Sequence, residues 1–274
     1  MRARDQRVTE LRRTLPKREG QKSSERSVVR TGYRGDIAEK RVNPQFYPLS
    51  VLDRLNSSEL DLLLARCVER RVVAGTLLFA QSAPRTGTFI VKQGLVRTYY
   101  SSPMGKEVTV GFWSDGDMVG GPDFFDECMH VWSGEAAEDS VVWVIKGRDL
   151  HELSASVPAI AECVIAALSF KLRWVSLLLQ NMGTKSVRHR LAHLLVSLSD
   201  MYGVKCEEGI QIRYPFTQED LANMICATRQ WVSMTFRRFQ QEGIVRVAKR
   251  RLVIRDMAGL RGMAREIPAG DVKD

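Results

Sequence analysis

The stretch TQEDLANMICATRQWVSMTFRRFQ, Thr217–Gln240, decides the fold of its region because it contains the start and stop signals of two short helices. Thr217 and Asp220 have the three-residue spacing of a capping box, and Thr228 is a suitable N-cap for a second helix. The intervening CAT breaks the helical pattern, with Cys226 standing where such turns favour glycine. The stretch therefore predicts a helix-turn-helix.

The second helix of this stretch has two different faces. Val232, Phe236 and Phe239 recur at i, i+4 and i+7, which is the inward stripe of an amphipathic helix. The remaining face carries Arg, Gln and Ser, with a tryptophan and a methionine nearby, and such a face suits the major groove of DNA. An ordinary solvated helix–loop–helix is the alternative. The residues expected to contact DNA are Thr217, Thr228, Arg229, Gln230, Ser233, Met234, Arg237, Arg238, Lys249 and Arg250.

The segments on either side of the helix-turn-helix complete a winged domain. GIVRVAKRRLVIRD, which follows, contains two β-prone runs around Lys249 and Arg250 and predicts a hairpin. GIQIRYPF, which precedes it, predicts a short strand that ends at Pro215. Before that strand, a helix is expected from an N-cap at Thr184 to Gly203. Its expected inward face consists of Val187, Leu191, Leu194, Leu195 and Leu198.

The chain between about residues 72 and 145 has a different character. Short apolar or alternating runs (GTLLFAQ, GTFIVKQG, LVRTYYSS, EVTVGFW and SVVWVIKG) are separated by turns that contain glycine. Several short strands at this spacing predict an all-β barrel or sandwich. Ahead of them, SSELDLLLARCVERR predicts a helix capped by Ser57 or Ser58.

Residues 158–183 predict one long helix, because they hold no glycine or proline between Pro158 and Gly183. One apolar stripe advances in steps of three and four, which is the seam of a helix that packs against a parallel partner. A core helix that is apolar on most faces is the alternative. Phe170, Trp174 and Leu177 lie on another side and are expected to pack on the β-rich part. The expected dimer interface consists of Ile165, Leu168, Leu172, Val175, Leu179 and Met182.

Charge and cysteine content exclude several classes of protein. The chain has 274 residues and a formal net charge of +9. The first 41 residues hold 13 Lys/Arg against 6 Asp/Glu, roughly +7, and few apolar residues, so we expect a disordered arm. No signal-peptide core, long apolar run, metal-site spacing or nucleophile–base pairing is visible, which favours a cytoplasmic protein without enzymatic activity. The five scattered cysteines favour reduced thiols.

Over roughly residues 46–260 the chain resembles the CRP/FNR family of bacterial transcription regulators. The shared order is GTLLF, FIVKQGLVRTYY, GKEVTVGFWSDGDMVGG, EDSVVWVI and FTQEDLANMICATRQWVSMTFRRFQQEGIV. The resemblance implies an α+β chain with a cyclic-nucleotide-binding-type β-roll, a dimerisation helix and a winged helix-turn-helix. The implied divisions are an arm (1–45), β-roll (46–157), dimerisation helix (158–183), DNA-binding domain (184–265) and tail (266–274).

The resemblance also implies partners: a second copy of the chain, palindromic double-stranded DNA and RNA polymerase. A β-roll that binds a signal and acts mainly through protein contacts is the rival interpretation.

The chain departs from family members that bind cyclic AMP. Those members carry a GE, whose Glu engages the ribose, and an R-[ST]-A, whose Arg clamps the cyclic phosphate. Here VGGPDFF places Gly121 or Pro122 at the Glu, and His130 falls near the Arg. A phosphate without its Arg loses a charge-assisted partner worth about 1.5–3 kcal/mol. We therefore expect no gating by cyclic AMP in the usual way. The expected effector pocket consists of Gly120, Gly121, Pro122, His130 and Ser133.

The resemblance raises two cofactors, and neither is predicted. Some family members bind an iron–sulfur cluster through N-terminal cysteines, but this chain has no cysteine before Cys67. A haem needs an axial ligand, and the four histidines fit ordinary surface or helix positions better: His130, His151, His189 and His193. Cys128 and Cys226 are candidates for a redox switch, with packed or idle thiols as the alternative.

The reading helix also departs from the frequent family pattern S/T-R-E-T-V-S/G-R. Arg229 and Ser233 match, but Gln230 replaces a Glu and Met234 replaces an Arg. A glutamine amide prefers adenine, where Glu accepts from cytosine, and a methionine offers an apolar contact to a thymine methyl. We therefore predict a half-site that differs from the common one.

Overall fold

A computed structural model describes residues 50–120, 124–125, 128–248 and 251–265, and the structural statements below concern these residues. They form an α+β chain in which a β-roll precedes a long helix and a winged helix-turn-helix. The arm and tail expected at 1–45 and 266–274 lie outside the described residues. A single 3₁₀ turn, Val51–Arg54, precedes the α-helices. The helices are α1 Ser57–Leu64, α2 Gly147–Ser156, α3 Pro158–Thr184, α4 Val187–Tyr202, α5 Gln218–Met224, α6 Arg229–Gln241 and α7 Met257–Arg265.

The β-roll consists of two four-stranded antiparallel sheets that pack face to face. One sheet has the order β1-β8-β3-β6 and the other β2-β7-β4-β5. Apolar side chains such as Phe89, Val91, Val96 and Val142 lie buried in its core. The strands are β1 Val68–Val72, β2 Leu77–Phe79, β3 Thr88–Gln93, β4 Val96–Ser101, β5 Glu107–Trp113, β6 Met118–Val119, β7 Ser133–Ala136 and β8 Ser140–Ile145.

The start of the β-roll corrects the sequence prediction. Helix α1 is capped by Asn56, whose side chain accepts from the Glu59 amide while the Glu59 carboxylate accepts from Asn56, so neither Ser57 nor Ser58 is the cap. The helix ends at Leu64, and residues 68–71, which were predicted to continue it, lie in strand β1, Val68–Val72. Pairing with β8, from Val68↔Val144 to Val72↔Ser140, provides hydrogen bonds that a helix there would forgo.

Helix α3 packs against the β-roll along one side, as the sequence predicts. The Trp174 indole Nε1 donates to the Val110 carbonyl at 2.8 Å, and the Phe170 ring meets the Trp113 ring edge-on at 6.3 Å. The opposite side of α3 contains much of the predicted dimer stripe. Leu168 and Met182 are half-buried, and the exposed members are Ile165, Leu172, Val175 and Leu179.

The C-terminal part is a helical core with a four-stranded sheet. Its strands are β9 Gly203–Cys206, β10 Gly209–Ile212, β11 Val245–Ala248 and β12 Arg251–Ile254, in the order β11-β12-β10-β9. The predicted strand before the helix-turn-helix ends at Ile212, three residues earlier than expected. The buried leucines of α4 are those predicted, whereas Val187 is half-buried.

Thr184 is not the N-cap of α4. It is the last residue of α3, and its hydroxyl donates to the Gln180 carbonyl at 2.7 Å. Ser186 occupies the N-cap position of α4, without a side-chain capping bond. Helix α3 therefore continues through Gly183, where glycine costs the helix backbone entropy of about 0.5–1 kcal/mol but does not end it.

An aromatic cluster joins the C-terminal part to strand β5. The Tyr202 hydroxyl donates to the Phe112 carbonyl at 2.8 Å, and the Phe216 ring meets the Phe112 ring edge-on at 4.7 Å. Tyr214 packs edge-on against Tyr202 at 5.2 Å. These contacts connect the base of the helix-turn-helix with the β-roll. Within the described part of the chain, no helix is long and apolar enough to cross a membrane.

Candidate nucleic-acid interface

The turn between α5 and α6 forms around Cys226. Its φ of +50° is left-handed, a conformation that strains residues with a Cβ and that glycine adopts freely. The amide of Ala227 donates to the Ala222 carbonyl at 3.0 Å, which is the closing bond of a Schellman motif with Cys226 at its C′ position. The cysteine therefore occupies the position where the turn favours glycine, and the Schellman turn forms with the cysteine in place.

Both helices of the motif begin at the predicted caps. The Thr217 hydroxyl accepts from the Asp220 amide at 3.1 Å, and the Asp220 carboxylate accepts from the Thr217 amide at 2.8 Å, which completes the capping box. The Thr228 hydroxyl accepts from the Trp231 amide at 3.2 Å. Both threonines are exposed, with their hydroxyls already engaged as caps. The caps fix where α6 starts relative to α5.

Helix α6 buries one face and presents the other to solvent, as its pattern predicts. Val232, Phe236 and Phe239 are buried in the helical core. At about 100° per residue, the side opposite this core carries Gln230, Met234, Arg237 and Gln241. The predicted contact residues Arg229, Gln230, Met234, Arg237 and Arg238 are exposed, and Ser233 is half-buried.

The two arginines in the middle of α6 differ in their partners. Arg238 donates to the Glu242 carboxylate at 3.0 Å, and Arg188 of α4 shares that carboxylate at 2.8 Å. Arg237 is exposed and forms no ion pair among the residues that the structure describes. Arg237 is thus the better placed of the two for a phosphate or a base.

The predicted wing is present as the antiparallel pair β11 and β12, with Val245 opposite Ile254 and Ala248 opposite Arg251. Lys249 and Arg250, predicted to contact DNA from its tip, lie outside the described residues. On β11, Arg246 is paired with Glu208 of the β9–β10 turn. The pairing of β12 with β10 ties the wing to the rest of the domain.

At the effector end of the β-roll, defined here by Gly120, His130, Ser133 and Lys171, a buried histidine occupies the position predicted for the phosphate clamp. His130 is 3% exposed, stacks on the Phe79 ring at 4.2 Å and lies with Nδ1 3.1 Å from the Gly120 carbonyl. Burial lowers the pKa of His130, and the nearby Arg85 guanidinium lowers it further. The imidazole is therefore neutral at physiological pH.

Of the other predicted pocket residues, the structure describes two, Ser133 and Gly120. Ser133 is buried, and its hydroxyl accepts from the Gln81 amide at 3.0 Å. Gly120 has a left-handed φ of +147°. Gly121 and Pro122 lie outside the described residues.

Lys171 of α3 also lies at this end of the β-roll and was missed by the sequence analysis. Its Nζ lies 4.9 Å from the centroid of the Trp113 ring and 4.7 Å from that of Phe124. Burial lowers the pKa of Lys171 to about 7, although the nearby Asp117 carboxylate acts in the opposite direction. The available signal was a lysine placed directly between the apolar residues Phe170 and Leu172, next to the predicted packing side of the helix.

The cysteines lie in different environments. Burial raises the pKa of the Cys67 and Cys163 thiols to about 11, which makes them poor nucleophiles. Cys128 and Cys226, the predicted redox candidates, are half-buried, and the Cys128 sulfur lies 3.7 Å from Arg85 Nη1. A redox role for either thiol stays a prediction.

The histidines considered for haem are dispersed through the fold. His151 is exposed on α2, and its ring meets Phe125 edge-on at 5.3 Å. His189 and His193 are half-buried on α4, far along the chain from the β-roll histidine. Among the described residues, no group of three His, Cys, Asp or Glu side chains is placed to hold a metal ion.

Comparison with known proteins identifies both halves of the chain. Residues 69–168 match the cyclic nucleotide-binding domain, and residues 189–263 match the Crp-like helix-turn-helix domain. The transcriptional regulatory protein btr of Bordetella pertussis is 28% identical over 191 residues, 70% of this chain and 78% of that protein. The transcriptional activator protein FnrA of Stutzerimonas stutzeri is 27% identical over 217 residues, 79% of this chain and 87% of that protein.

Solved structures share the fold. A mutant of CooA from Carboxydothermus hydrogenoformans superposes with a TM-score of 0.69 at 26% identity, covering 80% of this chain and 97% of that one. FixK2 from Bradyrhizobium japonicum, at 20% identity and a TM-score of 0.65, covers 72% of this chain and 96% of that one, and shows the fold alone. With the two domain matches and the geometry of α5 and α6, the chain is a member of the CRP/FNR family of DNA-binding transcription regulators.

Proposed function

We propose that this regulator acts as a homodimer that binds a palindromic operator through α6, without gating by cyclic AMP in the usual way. The observation that carries the proposal is the exposed face of α6, where Gln230, Met234 and Arg237 stand opposite a buried apolar stripe. Such a face on the second helix of a helix-turn-helix is what enters the major groove. The cytoplasm, where bacterial DNA and RNA polymerase are found, is the compartment in which we place this role.

The dimer is supported by the exposed stripe of α3. Leu172 is 70% exposed and Leu179 is 69% exposed, although leucines one heptad apart normally lie in a seam. Covering these side chains with the same helix of a second copy removes apolar surface from water on both subunits. Two copies related by a two-fold axis present two copies of α6, which suits half-sites about 34–36 Å apart.

A half-site different from the family's common one is supported by the chemistry of α6. Gln230 offers an amide that pairs with the N6 and N7 groups of adenine. Met234 is exposed beside it and offers no hydrogen bond to guanine or phosphate. Both substitutions occur on the outward face, so they alter what is read while leaving the buried side of the helix unchanged.

Independence from cyclic AMP is supported by the burial and neutral charge of the His130 imidazole. A neutral, buried imidazole that stacks on Phe79 supplies no charge for a cyclic phosphate at that position. The effector, if the protein uses one, is therefore expected to have other chemistry.

The test begins with selection of binding sites from random duplexes by the purified full-length chain. We expect a palindrome with adenine opposite Gln230, and an affinity that changes less than about twofold when cyclic AMP is added. Selection of the common half-site unchanged contradicts the reading by Gln230 and Met234. A large gain in affinity with cyclic AMP contradicts the assignment at His130.

The dimer is tested by Leu172→Glu combined with Leu179→Glu. Charges on the seam are expected to give a monomer by light scattering and to weaken operator binding by about a hundredfold or more, because two linked half-site contacts become independent. Leu62→Glu is the matched control, since this leucine of α1 is 50% exposed and lies outside the stripe. A dimer that persists in the double variant removes α3 as its interface.

A further inference from the structure

We infer that Trp231 and Met234 form one apolar contact surface on α6 that reads thymine methyl groups in the operator half-site. This inference rests on the proposed function and names a further specificity-determining residue, Trp231. It starts from an unusual exposure. Trp231 is 53% exposed and Met234 is 48% exposed. Both lie on α6, whose other exposed residues are polar or charged. Two large apolar side chains together in water are costly unless a partner covers them.

The two side chains are neighbours on the helix surface. They are three residues apart, a spacing that places side chains one above the other on the same side of a helix. Met234 lies beside the centre of the outward face, and Trp231 lies at its edge, about 100° around the helix from Gln230. Together they extend the polar reading face by an apolar strip along one side.

The charges around the strip indicate nucleic acid as its partner. Arg229, Arg237 and Arg238 are all exposed, and the helix has no acidic residue between Arg229 and Gln241. Arg237 has no carboxylate partner among the described residues, so its charge is available to a phosphate. A surface that combines the Arg237 charge with an apolar strip is complementary to the wall of a DNA groove.

Within the major groove, the thymine 5-methyl group is the apolar element of the base code. This methyl projects from the edge of the pyrimidine that lies nearest its own sugar–phosphate strand. A side chain at the edge of a reading helix faces that wall, while the side chains at the centre face the middle of the base pair. Trp231 is therefore placed for a methyl on one strand, with Met234 placed for a methyl one step further into the groove.

The experiment uses the palindrome selected by the wild-type protein and replaces each thymine in turn with deoxyuridine, which removes only the methyl group. For the wild-type protein, we expect about a fourfold loss of affinity at two positions of each half-site, the loss expected for one buried methyl-sized group. Trp231→Ala should bind more weakly and lose the difference between thymine and uracil at one position. Met234→Ala should lose it at the other.

Controls separate this inference from a folding defect and from the proposed function. Because both side chains are exposed, thermal melting of the two variants should match that of the wild-type protein. Met104→Ala, at a residue 91% exposed in the turn between β4 and β5, should leave the whole pattern unchanged.

Three outcomes overturn the inference. The first is an equal loss on uracil substitution in the wild-type protein and Trp231→Ala. The second is no loss at any position in the wild-type protein. The third is Trp231→Ala binding DNA as tightly as the wild-type protein, which would show that the tryptophan makes no contact with the operator. Failure to select any palindrome is a different result, and it contradicts the proposed function itself.

Discussion

The reading helix and the effector end of the β-roll both depart from the family pattern, and the departures differ in kind. In α6 the substituted residues, Gln230 and Met234, lie on the exposed face, while the caps and the buried stripe are retained. At the effector end, His130, which falls near the Arg position of the family pattern, is buried and stacked within the β-roll. An exposed change alters what a surface recognises, whereas a buried change alters what the interior can hold.

The largest effect is expected on the reading helix at Arg237, whose guanidinium forms no ion pair among the described residues. We expect Arg237→Ala to weaken binding by about tenfold on all duplex sequences and to make the salt slope shallower by about one per subunit, because one phosphate contact is lost. Titration of labelled duplex at several salt concentrations measures both. Arg238→Ala is the matched control, with a smaller expected effect because its guanidinium is already paired with Glu242.

An unchanged salt slope in Arg237→Ala would show that this side chain does not face DNA. A loss confined to one operator sequence would instead assign Arg237 to a base contact. In either case Arg237 is an exposed residue, whereas His130 at the effector end is buried.

The effector end is tested at Lys171. Burial lowers its pKa to about 7 in the folded state, below the ordinary value of 10.5, so the unfolded chain binds more protons between those values. The free energy of unfolding should therefore rise with pH across this window. Lys171→Met removes the ionisable group and should flatten the rise, with its largest gain in melting temperature near pH 6 and a smaller gain near pH 9.

Thermal melts of the wild-type protein and Lys171→Met over this pH range measure the effect. Lys106→Met is a control at an exposed lysine of the β4–β5 turn and should leave the pH dependence unchanged. Parallel pH profiles for the wild-type protein and Lys171→Met contradict the burial of the Lys171 charge.

The smallest effect is expected at Cys226, where the backbone is strained but the side chain is half-buried. Cys226→Gly relieves the left-handed φ of +50° and should stabilise the protein by about 1 kcal/mol, or a few degrees in melting temperature. Cys226→Val should destabilise it, since a branched Cβ is worse in this conformation. Operator affinity should change little in Cys226→Gly, because the Schellman turn is retained.

The same variants test the redox hypothesis through gel shifts with and without peroxide. If oxidation of Cys226 controls binding, Cys226→Gly loses the response, and if Cys128 controls it, Cys128→Ser does. An unchanged response in both variants removes the two thiols as switches.

Local patterns made the C-terminal half predictable, and non-local contacts limited the prediction of the rest. Caps and the i, i+4, i+7 stripe of Val232 are local signals, so the helix-turn-helix follows from the sequence. Strand β1 does not, because VERRV becomes a strand only through its pairing with β8, about 70 residues away. Lys171 was not predicted at the effector end, because the packing side that spacing predicts for α3 does not show that a lysine on that helix meets Trp113 and Phe124.

The aromatic cluster around Phe112 has a consequence for protein engineering. The Tyr202 hydroxyl and the Phe216 ring both attach to Phe112, so part of the foundation of the DNA-binding half is supplied by a strand of the sensor half. In a chimera whose two parts are fused at the end of α3, Tyr202 and Phe216 would face a foreign strand in place of β5. A fusion of a foreign sensor domain with this DNA-binding half should therefore retain Phe112 and its neighbours on β5.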